Sequence, residues 1–462
     1  MKRLLIVAMA AVLGTVGASA ETGKGKTKRY LVTFEEGTKP ADRDAALAAL
    51  EITPKKMIAS EDEQNTVSIA VVDVAAGQTL ADKLGKAVCK NPQGCAAALR
   101  KVARIEEDVR CPSEKCKAKW IESSYASMAS AELPSFGAVM GGLNMPKASS
   151  FVQNPMAAQL AAQRAETNLW GLQRLMAPAA WSVCENKEKK SCMGEGATVA
   201  VIDTGIDYRN GDLAGQVIGG YSAITKTENP VDWNDDNGHG SHVAGTIAGK
   251  RDGRGVVGVA PLAKLYAIKV LDADGSGNLS DVVDGIVWAA RMASKGQLDI
   301  ANMSLGAPVD SDAMKRAVRF ARGSGLVVVA AAGNTGAPKE GQTSSVGFPG
   351  AYEDVIAVAA SDSKDKIAGF SSRGPEVDFI APGVDILSVR AGGSQDKPAS
   401  FSGTSMASPH VAGLAAIVAA QGYSGLNGPD GVFQQLKNAS TSIKLSASEE
   451  GAGMIDAGKL AR

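Results

Sequence analysis

The strongest constraint on the fold is a series of short apolar runs in the second half of the chain. Thr198–Ile202, Leu265–Val270, Ile300–Met303, Leu326–Ala331 and Val355–Ala359 are built mostly from Val, Ile, Leu and Ala. Segments with helical patterning separate several of them, among them Ser280–Ala293 and Asp312–Arg322. Runs apolar at consecutive positions suit strands buried on both faces. Alternating with helices, they predict a mostly parallel, doubly wound α/β sheet. Such a sheet offers ligand sites at the carboxyl ends of its strands. No internal repeat and no heptad pattern cuts across this reading.

The 462 residues exceed one ordinary core, so two or more domains are expected. Near the N-terminus Arg29–Phe34 alternates as a strand, Ala41–Leu50 is an alanine-rich helix after Pro40, and Thr66–Val72 is a second strand. Gln78–Val88 and Cys95–Val102 read as short helices, and Val102–Val109 as a closing strand. That order predicts a small α+β, ferredoxin-like domain over about residues 28–110. Residues 121–165 carry Ser, Ala, Met and Gly with no sustained period and read as a long linker. At the start, Lys2 and Arg3 precede an apolar stretch from Leu4 to Gly17, and Ala18-Ser19-Ala20 offers a small-residue cleavage site. This is the pattern of a secretory signal over residues 1–20, and its apolar part is shorter than the roughly 20 residues of a spanning helix. Export is therefore expected, to a periplasm or to the exterior. Basic and acidic residues balance at 49 each, which removes any bulk electrostatic attraction to nucleic acid or anionic membrane.

Six cysteines suit an oxidising compartment. They fall as neighbours: Cys89 and Cys95, Cys111 and Cys116, Cys184 and Cys192. Pairing between neighbours is the economical scheme, although sequence alone does not select a connectivity. The spacings could also hold zinc, but no histidine lies near them.

Chemistry concentrates in three segments. VAVIDTGID delivers Asp203 at the end of an apolar strand, and NGHGSHVAGT places His239 and His242 ahead of a small-residue helix. In SGTSMASPHVAGLAAIVAA, Ser405 opens a helix reaching about Ala420, with Pro409 expected in its tolerant first turn. An acid, a base and a nucleophile from separate segments suit acyl transfer: the base takes the serine proton, and the carboxylate fixes the base's tautomer. Asp203-Thr204-Gly205 could instead be an aspartic-protease loop, but no second DTG or DSG occurs. A GxSxG elbow of the α/β-hydrolase kind is absent around Ser405.

The three segments, in the order Asp, His, Ser, resemble the subtilisin family of serine proteases. AAAGN (Ala330–Asn334), NMSLG (Asn302–Gly306), FPGAYEDVIAV (Phe348–Val358), FSSRGP (Phe370–Pro375) and APGVDI (Ala381–Ile386) resemble family segments in the same order. The resemblance implies a secreted serine endopeptidase acting on polypeptides as a monomer, with Asp203, His239 and Ser405 catalytic and His242 and His410 structural. It places the Asn334 amide and the Ser405 N–H in an oxyanion hole, where the family's cost for a lost donor is roughly 2.7–4 kcal/mol. Gly275, Ser276, Gly277 and Ser304, Leu305, Gly306 become the two edges that hold an extended substrate. Gly333, Gly347 and Thr335 leave a wide, uncharged pocket for the residue before the scissile bond. Calcium is implied at Asp212 and Asp252, with Glu166 nearby, although Gly245–Pro261 also reads as a plain glycine-rich turn. RYLVTFEEG and VARIEEDV resemble the inhibitory, self-processed propeptides of this family. The expected division is signal 1–20, propeptide 21–120, linker 121–165 and peptidase 166–462. Asp232, Asp235 and Asp236 read first as a solvated acidic loop and second as a metal site.

Overall fold

The computed structural model describes residues 28–35, 38–49, 52–59, 68–74, 102–107, 110–111, 169–186, 191–393, 395, 397–428 and 431–461. The signal, the linker, Glu166 and cysteines 89, 95 and 116 lie outside these residues.

The N-terminal part contains strand β1 (Lys28–Phe34), helix α1 (Pro40–Ala49), and strands β2 (Lys56–Ala59), β3 (Ser68–Val74) and β4 (Val102–Glu107). The strands form a sheet in the order β2-β3-β1-β4, every pair antiparallel. This is the strand order expected of a ferredoxin-like domain; the two short helices expected between Gln78 and Val102 fall outside the described residues. Strand β2 was not legible, because KMIA is too short to show a period. Leu31, Ile58, Ile69 and Val71 project from one face of the sheet into a shared apolar cluster with Val283, Ile286, Met314 and Val318. A further two-residue strand, β5 (Arg110–Cys111), follows β4 in the chain and is not part of this sheet.

The larger part is built on β6 (Thr198–Asp203), β7 (Val217–Ser222), β8 (Lys264–Lys269), β10 (Ile300–Met303), β11 (Val327–Ala331), β12 (Ile356–Ser361) and β13 (Val377–Pro382). They lie in the order β13-β12-β11-β10-β6-β8-β7, and every ladder is parallel. The two edge strands are the ones that sequence patterning missed. β7 reads VIGGYS and β13 reads VDFIAP, so glycines in one and Asp and Pro in the other mask the apolar run. The small β9 (Gly277–Asn278) stands outside this sheet and pairs antiparallel with β5.

Strand periodicity sorts the core into two layers. Val199 and Val201 of β6 enter the cluster that contains helices α2 (His239–Ala248) and α5 (Thr404–Ala419). Ala200 and Ile202 enter the cluster on the opposite face, with α3 (Leu279–Ser294) and α4 (Asp312–Gly323). The small N-terminal sheet docks on that second layer. Helix α5 is buried at every position from Thr404 to Val418. A helix apolar all round belongs in a core, and its Ala and Gly residues let it run close beneath the strands. Cys184 and Cys192 are joined by a disulfide, their Cα atoms 5.9 Å apart, as neighbour pairing predicts. Among the described residues no helix is long and apolar enough to cross a membrane.

Candidate active site

The site begins where β6 ends. Asp203 is fully buried, and Oδ1 of its carboxylate accepts the Thr204 N–H at 2.7 Å. His239 is the first residue of α2 and is likewise fully buried. Its Nδ1 lies 2.9 and 3.0 Å from the two carboxylate oxygens of Asp203. That contact fixes the ring's orientation and turns Nε2 away from the carboxylate. The close fit depends on Gly240: a methyl group there would overlap the carbonyl of Gly205 and press on Asp203. A glycine directly after the histidine is what lets the helix start against the strand end.

Ser405 is the second residue of α5 and 2% exposed. Its hydroxyl donates to the Ser304 carbonyl at 3.0 Å. Pro409 stands in the second turn of this helix, not the first turn expected from sequence. Having no N–H, it leaves the Ser405 carbonyl without its helical donor. The Ser304 hydroxyl supplies the replacement, donating to that carbonyl at 2.7 Å. Ser304 also lies 2.9 Å from the Ser408 hydroxyl and accepts from the Asn302 amide at 2.9 Å. It is fully buried, so its side chain braces the Ser405 turn, while Leu305 and Gly306 next to it face a pocket.

That pocket has a volume of about 360 Å³ and is lined by Gly306, Gly333, Asn334, Gly347, Lys339 and Ser405 among others. Gly333 adopts φ 108°, a conformation costly for other residues. Thr404 fixes the Asn334 amide: its N–H and hydroxyl donate to Asn334 Oδ1 at 2.8 and 2.9 Å. With the oxygen held there, the NH2 end is the part of the amide able to donate beside Ser405. The start of α5 adds the partial positive charge of a helix N-terminus. The arrangement therefore offers hydrogen-bond donors to a negative oxygen forming next to the serine. Lys339 is the one charged residue among those lining the pocket, so the pocket is not uncharged as the resemblance implies.

The other expected residues are placed as follows. Gly277 pairs with Cys111, and Asn278 with Arg110, so one of the two expected edges carries an added strand from the same chain. Buried His242 bonds the Ile386 carbonyl through Nε2 at 2.9 Å, and His410 bonds the Met406 carbonyl through Nδ1 at 2.8 Å. Burial pushes His242 down to about 3, with the charge of His239 adding to the effect, and burial pushes His410 down to about 4. Both rings are neutral packing elements. Asp212 and Asp252 converge on one group: the Gln395 amide nitrogen lies 2.7 Å from Asp212 Oδ1 and 3.2 Å from both Asp252 oxygens. Among the described residues no three His, Cys, Asp or Glu side chains gather as a metal site.

The acidic loop departs from its sequence reading. Asp235 is buried at 6% exposure and accepts from Thr204, Asn237, Gly238 and Ser241. Asp236 pairs with buried Lys269 at 2.6 Å. The missed signal was position, since Asp235 stands one helical turn before His239.

Residues 194–453 match the model of the subtilase family. Subtilisin E of Bacillus subtilis (strain 168) is 45% identical over 259 residues, covering 56% of this chain and 63% of that protein. The chain thus spans somewhat less than two thirds of that relative's length. The subtilisin of Bacillus pumilus is 44% identical over 249 residues, 54% of this chain and 83% of that protein. Subtilisin BL of Lederbergia lenta is 40% identical over 288 residues, 62% of this chain and 96% of that protein.

Proposed function

The chain belongs to the subtilase family, and from that premise we propose that it is a secreted serine endopeptidase, synthesised as a self-processing zymogen. The observation that carries the reading is the buried Asp203–His239 pair at 2.9 Å, in the same chain as Ser405 at the start of α5. In the reaction, Nε2 of His239 takes the Ser405 proton as Oγ attacks the peptide carbonyl carbon. Asp203 holds Nδ1–H and stabilises the resulting imidazolium. The carbonyl oxygen becomes an oxyanion and accepts from the Ser405 N–H and the Asn334 amide. His239 then gives its proton to the departing amine, leaving an acyl-enzyme on Ser405 Oγ. Water, deprotonated by His239, attacks the acyl carbon and restores the serine.

Two observations support the zymogen reading. The sheet of residues 28–107 buries its apolar face on α3 and α4, and Lys56 of β2 pairs with Asp284 of α3 at 2.9 Å. Strand β5 adds to β9 beside the edge expected to receive substrate, so the same main-chain donors would serve inhibitor and substrate in turn. Residues 1–20 act as the signal and 21–120 as inhibitor and folding aid, with the peptidase in 166–462 as a monomer.

Asp212 and Asp252 suit calcium, since two carboxylates already converge on a single positively polarised N–H2 group. They would hold the ion as hard oxygen ligands, and its contribution is to neutralise them and tie their loops together. Glu166 is a third candidate ligand.

The test of the whole reading is the nucleophile. Wild-type precursor should react with a fluorophosphonate probe at Ser405 and mature by cutting itself. Purified Ser405→Ala should neither label nor mature, and its peptide hydrolysis should fall by roughly 10⁶-fold, the loss seen when a subtilisin loses its serine. Normal maturation of Ser405→Ala with no other protease present would refute it.

A further inference from the structure

We infer that Asp235 is a positioning residue for the Asp203–His239 pair. This rests on the triad reading above and extends it to a carboxylate outside the triad.

The argument starts from the N-terminus of α2. The first N–H groups of a helix lack partners inside the helix, and here the N-cap is Gly238, at φ 112° and with no side chain to cap them. The partners come from the preceding loop and strand. His239 N donates to Asn237 Oδ1 at 3.1 Å, Gly240 N to Thr204 Oγ1 at 2.9 Å, and Ser241 N to Asp235 Oδ2 at 2.9 Å. Thr204 in turn donates its hydroxyl to Asp235 Oδ1 at 2.9 Å. Asp235 Oδ1 also accepts from Asn237 N at 3.0 Å and Gly238 N at 2.9 Å, and Oδ2 accepts the Ser241 hydroxyl at 2.6 Å.

One buried carboxylate thereby grips both halves of the pair. Through Thr204 it holds the backbone just past β6, next to Asp203, the last residue of that strand. Through Gly238 and Ser241 it holds the backbone on either side of His239. The Nδ1–carboxylate distance is set where these two backbone segments meet, and Asp235 fixes their separation. Its negative charge also lies at the favourable end of the helix dipole.

The chemistry needs an acid rather than an amide. Backbone N–H groups face both oxygens: Asn237 and Gly238 at Oδ1, Ser241 at Oδ2. In Asp235→Asn, either orientation of the amide sets N–H2 against a backbone N–H, and neither is able to accept. The helix start then shifts away from the strand end.

The experiment compares purified wild type with Asp235→Asn on a chromogenic peptide and follows the low-field proton resonance of His239 Nδ1–H. A misplacement near 1 Å costs roughly 10²-fold in rate. The expected result is a fall of about that size in kcat, KM within about twofold, and loss or displacement of the low-field resonance. If Asp235→Asn does not accumulate folded, Thr204→Val and Ser241→Ala each remove one arm, and each must lower kcat several-fold with KM kept. Wild-type kcat in Asp235→Asn, or in either single-arm variant, overturns the inference. So does a loss confined to melting temperature or KM. A wild type inert to the fluorophosphonate probe removes the proposed function and this inference with it. A labelled wild type beside an unaltered Asp235→Asn removes this inference alone.

Discussion

Ser304 shows how much one side chain can do for a proposed nucleophile 101 residues away in the chain. Pro409 takes a hydrogen bond away from the Ser405 carbonyl, and Ser304 returns it at 2.7 Å while its own carbonyl accepts the Ser405 hydroxyl at 3.0 Å. Removing the Ser304 hydroxyl leaves a buried carbonyl short of a donor and the Asn302 amide short of an acceptor. A buried polar group left unmatched costs about 1–3 kcal/mol. Ser304→Ala, made in the Ser405→Ala background so that autolysis is silent, should lose stability by about that amount in urea unfolding. An unchanged midpoint would mean that Ser408, or water, already satisfies the carbonyl.

Among elements, α2 and α5 combine the proposed catalytic positions at their starts with buried, neutral histidines further along. His242 and His410 titrate near 6.5 when free but near 3 and 4 in the folded protein. The unfolded chain therefore binds these two protons first, so their contribution is complete above about pH 6.5 and drains as pH falls. Asp378 has the opposite sign. Burial raises its carboxyl to about 6, so the folded state keeps a proton that the unfolded chain releases, and acid favours it. Between about pH 5 and 6 the two protons that the histidines take up on unfolding outweigh the one held by folded Asp378 and the part held by Asp299, whose carboxyl burial also raises, so stability rises with pH. Stability of Ser405→Ala measured at pH 4.5, 5.5 and 6.5 should rise with pH, and a flat or falling series would contradict this account. The pocket between β11 and the Ser344–Gly347 segment is likewise a property of elements. Gly333 and Gly347 leave its volume open, and Lys339 on its wall repels a second cation. Peptide-library cleavage should favour large apolar or aromatic side chains before the cut bond and disfavour Lys and Arg. A profile led by Lys or Arg would overturn that expectation.

Over the whole molecule, two long-range connections stand out. One joins the small sheet to the large one through the apolar face of β1–β3 on α3 and α4, with Lys56, Lys226, Asp281 and Asp284 clustered at its margin. The other gathers Asp212, Asp252 and Gln395, which are far apart in sequence, at one point. A ligand that binds only the folded state adds RT ln(1 + [L]/Kd), about 2.7 kcal/mol at a hundredfold excess over Kd. On the proposed calcium reading, calcium should raise the melting temperature of the processed protein, and a chelator should lower it. Asp252→Ala should abolish most of that response while leaving fluorophosphonate labelling intact. Superimposable melting curves with chelator and with millimolar calcium would show that the Gln395 amide already does what the ion was invoked to do.

The sequence by itself determined the parallel sheet, because strands buried on both faces must be apolar at consecutive positions, and β6, β8, β10, β11 and β12 are. It also singled out the three segments proposed to carry the chemistry, since Asp203, His239 and Ser405 sit in short motifs whose residue types have few other uses together. The edge strands β7 and β13 escaped it because edge positions tolerate the Gly, Asp and Pro that erase a pattern. Tertiary structure alone decided the fate of Asp235, whose neighbours Asp232 and Asp236 make it look like part of a solvated loop. Burial is a property of what packs over a residue, and what packs over Asp235 arrives from Thr204, thirty-one positions away. The same holds for Ser304, which meets Ser405 across 101 residues. Local pattern records what a segment needs from its surroundings, and only the folded chain supplies the partner.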